Sequence, residues 1–503
     1  MAAGSFATCG SASADALSHG TFRAANRVGA SELAASACTT GLYGHMFAPA
    51  ERADAGMLGK LEQLGRSLLQ DGDHEGAGGP TRIAAGYTYF GQLIGHDLSF
   101  DHIPFAAIDG VPVDEIPNAR TPWLDLDHVY GGGPERSPQL YEGREGAERF
   151  RIVNSCDLPR GEHYKLLGDQ SRPAREQDFR GLENIIILQL HVLFMRLHNA
   201  AVDQHLSCGI DELDRLDGTV FNKAARVVRW QYQWLVRNDF LPRVLDPNVA
   251  VRVRVFGPRF QWPDGRFFIP VEFAAAAFRF GHSMVRPRYR LNAEHRADIQ
   301  QLVSGEYASN PLPPELALDW RKFFHCPNGP RPAPAMGIDT RITPGLGEVT
   351  TFAATHHRGE AARFVLPLRT LQRGALMRVA SGQEVARQLG LADKILIAQQ
   401  LTGCARSPEP DSAGAVLADQ ELLEETPLFF YVLREAEMPP SEADRLGLVG
   451  SQIVADVIEG AFRHDPDSYW KFEDGWEPPE WCFPSGARRK IRFMGDLIAA
   501  LGG

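Results

Sequence analysis

The sequence predicts a mainly α protein, built as a single large helical domain with long loops and little β structure. Apolar residues recur at helical spacing over 57–70, 84–98, 183–204, 218–238, 271–285, 383–403 and 451–463, while strand-like alternation is sparse. Gly- and Pro-rich connectors at 71–80, 131–134, 310–315 and 326–337 read as long surface loops, and composition does not change across them. One domain over 81–503, with an extension over 1–80 packed on it, is therefore preferred to a two-domain split. At 503 residues and 44% hydrophobic content the chain can bury a substantial core.

Charge and cysteine usage narrow the class of function. The 52 basic and 63 acidic residues leave a net charge of −11, without the basic footprint that nucleic acid or an anionic membrane would require. The most apolar run, Ile185 to Phe194, is short and interrupted by Gln189 and His191, so no transmembrane span is expected. The N-terminus lacks a charged start followed by an apolar stretch. Seven scattered cysteines, with no C-x-x-C pair, read as reduced and structural. A cytoplasmic protein, or one exported without a cleaved signal, is expected; oligomeric state is not readable.

Taken in chain order, four segments carry polar residues that a buried helix must account for. In "YFGQLIGHDLSFD", Tyr89 to Asp101, Gln92 and His96 share a helix face and Asp97 turns roughly 100° aside. A lone His in such a helix is ordinarily a satisfied core residue; Gln92 and Asp97 weaken that reading. In "ARTPWLDLDHVYGGGP", Thr121, Trp123, Asp125 and Asp127 alternate, so a hydroxyl, a carbonyl and two carboxylates can converge as calcium ligands, although an Asx turn would use the same residues. Phe179 to His205 carries Arg180 and Glu183, three apart, which alone would be a weak surface pair, and His191 and His198, two turns apart, which read as structural. In "VEFAAAAFRFGHSMVRP", four alanines allow close approach by a helix or a flat ligand, and Arg279 and His282 lie three apart.

These stretches, "FGQLIGHD", "TPWLDLDHVYG", "RGLEN" with "LHVLFMRLHN", and "AFRFGHSMV", resemble in order and spacing the animal-type haem peroxidases. That is the superfamily of myeloperoxidase and the prostaglandin synthases, including its bacterial members. The resemblance extends from about 85 to 470, taking in "TPLFFYVLREAE" and "IVADVIEGAFRHDPDSYW". It implies a haem b enzyme that reduces hydrogen peroxide and oxidises a small-molecule electron donor. His96 would be the distal histidine, Gln92 the glutamine beside it, Arg180 the distal arginine and His282 the proximal iron ligand, with Arg279 on the proximal side. Asp97, Thr121, Trp123 through its carbonyl, Asp125 and Asp127 would bind calcium. Asp97 would then pin the helix that presents Gln92 and His96 to peroxide.

Departures from the family pattern refine what is implied. Gly95 stands where the mammalian enzymes carry an ester-forming Asp, and Asn184 where myeloperoxidase carries its sulfonium Met, so haem would be held noncovalently or through Glu183 alone. "LRTLQRG" places Thr370 where the proximal histidine's Asn partner usually stands, giving a less anionic ligand, and keeps Arg373 for a haem propionate. Arg279 occupies the place of the radical-forming tyrosine of the fatty-acid dioxygenases, which favours a peroxidase; Tyr289, seven residues beyond His282, is expected to point elsewhere. The alternatives are a lipid dioxygenase of the same superfamily and an inactive calcium-stabilised haem-binding module.

Overall fold

The structure, a computed structural model, describes residues 41–70, 81–101, 105–159, 179–182, 184–208, 216–304, 311–350, 363–403, 410–471, 475–483 and 488–502. It is mainly α, as expected; strands among the described residues pair only in twos. Of the expected N-terminal extension, 1–40 and 71–80 lie outside the described residues. Its described part supplies β1 (Tyr43–Gly44) and α1 (Ala55–Ser67), the latter opened by Asp54, which accepts from the Met57 N–H at 2.7 Å.

Helix α2 (Gly86–Leu98) begins where only glycine fits, because a Cβ at Gly86 would run into the Phe324 ring. It ends at Ser99 in extended conformation. Asn118 then takes over, donating to the Leu98 carbonyl at 2.9 Å and accepting from the Phe100 N–H at 2.8 Å. The central helix α3 (Ile185–Cys208) packs against α2 and against α4 (Val220–Leu235), whose N-cap is Thr219. By length and composition Ile185–His205 could cross a membrane, a test the sequence reading had it fail; nearly all of that stretch is buried against protein. Of its interruptions, Gln189 donates to the Leu316 carbonyl at 2.9 Å and accepts from the Leu318 N–H at 2.8 Å.

Past α5 (Pro247–Phe256) and β2 (Ile269–Pro270), which pairs in parallel with β1, comes the segment expected as a helix over 271–285. It is instead a π turn, Glu272–Ala276, followed by a 3-10 turn, Ala277–His282, with Ala276 at φ −135°, ψ −79°. The cause is local. Arg279 Nε donates to the Ala274 carbonyl at 2.7 Å, taking an acceptor that the regular ladder would use.

Helices α6 (Leu366–Leu376), α7 (Leu428–Glu437) and α8 (Leu448–His464) complete the frame around that segment. The expected helix over 383–403 is split into Gly382–Gln388 and Ala398–Thr402, because Gly390 turns at φ +72° between them. The 131–134 connector is also corrected: Gly131 to Gly133 are buried and make a tight turn with φ +55° at Gly131 and +73° at Gly133.

Candidate functional site

One cavity of about 340 Å³ gathers most of the residues singled out in the sequence. Gln92, Gly95 and His96 reach it from α2, Arg180 from the turn before α3, Arg279 and His282 from the alanine segment, and Thr370 and Arg373 from α6. Glu183 lies outside the described residues.

Several of these side chains are held by identifiable partners. Arg180 donates to the carbonyls of Ser99 at 2.7 Å and His96 at 2.8 Å, binding the open C-terminal end of α2, and its guanidinium lies 4.3 Å from the centre of the Phe100 ring. It can take that place because its neighbour is Gly181, where a Cβ would sit 2.7 Å from the His191 ring. The Thr370 hydroxyl donates to the Leu366 carbonyl at 2.9 Å, which leaves its oxygen to accept from His282 Nδ1 at 3.4 Å. That tautomer keeps the lone pair on Nε2. Loss of solvent and the nearby Arg279 charge lower the His282 pKa to about 3, so the ring is neutral, as a metal ligand must be.

The cavity is amphipathic. At one end Arg180, Arg279, Arg373 and Asp101 share Tyr43 as an electrostatic neighbour, and Arg373 pairs with Asp101 directly. Burial and the Arg373 charge bring the Arg279 pKa down to about 10. Elsewhere the wall is aliphatic, with Val285, Ile299, Val303, Leu346 and Leu366. A neutral imidazole, a cationic end and an apolar wall fit the donor set, carboxylates and edge of a haem.

The second cluster lies behind α2. Asp97, Asp125 and Asp127 are buried, and one oxygen each of Asp97 and Asp127 lies within 4.8 Å of a His128 ring nitrogen and of each other. His128 Nδ1 bonds Asp97 Oδ1 at 2.9 Å, Thr121 donates to Asp125 at 2.8 Å, and Arg120 lies 3.6 Å from Asp127. Burial, with Asp125 and Asp97 adding to it and Arg120 opposing, holds the Asp127 carboxyl well above the usual range. Its Oδ1 is buried and lacks a hydrogen-bond partner among the described residues. The Arg229 guanidinium also donates to the Asp125 carbonyl at 3.0 Å, and three buried carboxylates against two guanidinia leave a negative surplus that fits a divalent cation. The Trp123 ring stacks on Phe267 at 5.3 Å, so any part Trp123 plays there falls to its main chain.

The structural reading of two histidines stands. His198 lies between the Tyr130 hydroxyl at 3.1 Å and the Glu148 carbonyl at 3.2 Å, and His191 meets the His128 ring edge-on at 4.9 Å. Tyr289 accepts from the Arg286 N–H at 2.9 Å and is not among the residues lining the cavity. The sequence reading missed Tyr43, Tyr87 and Tyr89, which do line it, and the pair His128 and Arg120. His128 was readable as the neighbour of Asp127; Tyr43 carried no signal, since only β1 pairing brings it in.

The animal haem peroxidase family pattern matches residues 106–312, which include Arg180 and His282 but neither His96 nor Thr370. A peroxidase-like protein of Margaritifera margaritifera is 29% identical over 185 residues, 34% of this chain and 22% of that protein. The chorion peroxidase of Drosophila melanogaster is 29% identical over 192 residues, 35% and 22%, and the thyroid peroxidase of Mus musculus 28% over 193 residues, 34% and 20%. The match thus spans about a fifth of these relatives' length. Fold likeness reaches further. Peroxidase A of Dictyostelium discoideum superposes with a TM-score of 0.59 at 15% identity, covering 86% of this chain and 88% of that one. The fatty acid alpha-dioxygenase of Oryza sativa gives 0.59 at 14%, covering 85% and 76%. The chain is thus similar to the animal haem peroxidases in sequence pattern over 106–312 and shares its fold with the solved structures over most of its length.

Proposed function

We propose that the chain is a haem-dependent peroxidase, which reduces hydrogen peroxide and oxidises small organic donors or halides. The observation that carries this is the meeting in one cavity of Gln92 and His96 from α2 with a neutral His282 backed by Thr370. Haem b would be held by His282, with Arg279 and Arg373 at its carboxylates and Glu183 as the one available ester position. When bound it would supply the iron and the electrons. The domain over 81–503 would hold it, and calcium at Asp97, Thr121, Trp123, Asp125 and Asp127 would fix the orientation of α2.

The chain's own part is proton handling. A neutral His96 takes the proton from the near oxygen of peroxide and returns it to the far one, so that the latter leaves as water. Gln92, one turn earlier on the same face, orients the peroxide by hydrogen bonding. The Arg180 charge, fixed by its two carbonyl contacts, favours the negative charge that builds on the departing oxygen.

A fatty-acid dioxygenase is the second reading, favoured by one observation: Tyr89 lines the cavity, and its ring meets that of Tyr289 at 5.6 Å. The deciding experiment is the absorption spectrum of the haem-loaded protein before and after one equivalent of hydrogen peroxide, then after guaiacol. A Soret band that shifts and returns supports the peroxidase; a band that stays put overturns it. His96→Ala should keep the band and slow peroxide cleavage by about 10²–10⁴-fold.

A further inference from the structure

Residues 41–48 tie together the two walls of the cavity. On one side the Tyr43 N–H donates to the Ile116 carbonyl at 3.1 Å and the Asn118 N–H to the Gly41 carbonyl. On the other, Tyr43 pairs with Ile269, and the fully buried Glu272 carboxylate collects the N–H groups of Met46 at 2.9 Å and Phe47 at 3.3 Å, with His45 Nδ1 also at 3.3 Å. Glu272 opens the segment that ends at His282. Farther along, the Ala48 N–H reaches Gln388 at 3.1 Å. The strap lies flat because residue 44 is glycine: a Cβ there would overlap the Phe268 ring.

Tyr43, in the middle of the strap, is 4% exposed and lines the cavity at its cationic end. Its charged neighbours are Asp101, Arg373, Arg180 and Arg279, three positive charges against one negative. Arg369 also lines the cavity, so its charge is positive in sum, the sign that the carboxylates of a haem require. Burial and Asp101 push the phenol well above its ordinary range, so the hydroxyl keeps its proton and can donate it.

We infer that residues 41–48 are a cofactor-retaining strap, and that the Tyr43 hydroxyl donates a hydrogen bond to a carboxylate of the cofactor. This rests on the reading that the cavity holds haem. A hydrogen bond to a buried charge is worth enough that its loss speeds release about tenfold or more. The strap joins both walls, so loosening it at Glu272 acts in the same direction without touching the cofactor.

The test uses the full chain loaded with haem. Haem transfer to excess apomyoglobin is followed at the Soret band for the native chain, Tyr43→Phe and Glu272→Gln, with thermal unfolding of the haem-free forms as the check on folding. Tyr43→Phe should release haem about tenfold faster with unchanged haem-free unfolding, and Glu272→Gln should also release it faster. With haem dimethyl ester, whose carbonyls still accept a hydrogen bond but carry no charge, the effect of Tyr43→Phe should be smaller than with ordinary haem. Equal release of ordinary haem, or a difference undiminished with the diester, overturns the inference while leaving the haem reading intact. A native chain that takes up no haem overturns both.

Discussion

At the residue scale burial holds two histidines neutral, His282 in the cavity and His198 away from it. His198, between Tyr130 and Glu148, is held by burial to a pKa of about 3 against an ordinary 6.5. Between those values the unfolded chain binds a proton that the folded chain refuses. Its stability contribution is therefore complete above about pH 6.5 and falls as the pH drops toward 3, by ~1.4 kcal/mol per unit. Urea midpoints at pH 7, 6 and 5 should fall for the native chain, and His198→Gln should flatten that slope. Thr370 makes a second prediction. Thr370→Val removes the acceptor for His282 Nδ1 and the donor to Leu366; it should cost about 1 kcal/mol in the haem-free chain and raise the reduction potential of the loaded one. Much of this was legible, because Gln92, His96, Asp97 and His282 are polar residues in segments apolar enough to be buried. Tyr43 was not, since nothing within "GLYGHMF" says that its charged neighbours in space lie 58 to 330 positions away.

At the scale of elements, periodicity located helices and failed where a side chain or a glycine overrides it. The heart of α3 and of α8 could be read directly. The alanine segment could not, because spacing does not reveal that Arg279 would take the Ala274 carbonyl. Helices α6 and α7 went unread in the periodic pattern; α7 starts behind Pro427, and α6 has Pro367 in its first turn, both of which look like breaks until the N-terminal preference of proline is applied. Caps give the measurable quantities here. Asp246 accepts from Asn248 and Val249 at the head of α5, and Asp246→Ala should lower stability by about 1 kcal/mol in denaturant unfolding. Gly181→Ala would press a methyl into His191 and displace the turn carrying Arg180. It should cost ~1–3 kcal/mol and, in the loaded protein, slow peroxide cleavage more than haem binding.

At the scale of the whole molecule, stability and function meet in the acid cluster behind α2. If a divalent cation resolves the charge of Asp97, Asp125 and Asp127, chelation should lower the Tm of the native chain by several degrees, and Asp127→Asn should lose most of that response; a Tm indifferent to chelator would remove the cation from this account. The single-domain prediction followed from composition, whereas the site depended on contacts that no local pattern carries: segments from 43 to 377 line one cavity, and the family pattern itself stops short of both His96 and Thr370. Yet the two halves of the arrangement turn on adjacent positions, His96 in the cavity wall and Asp97 in the acid cluster. A helix advances about 100° per residue, so one residue inserted between Gln92 and Asp97 would turn everything after it out of phase with everything before. This stretch of α2 should accept almost no change of length, and an insertion scan along 86–98 would trace that rule as a sharp step in the number of chains that fold.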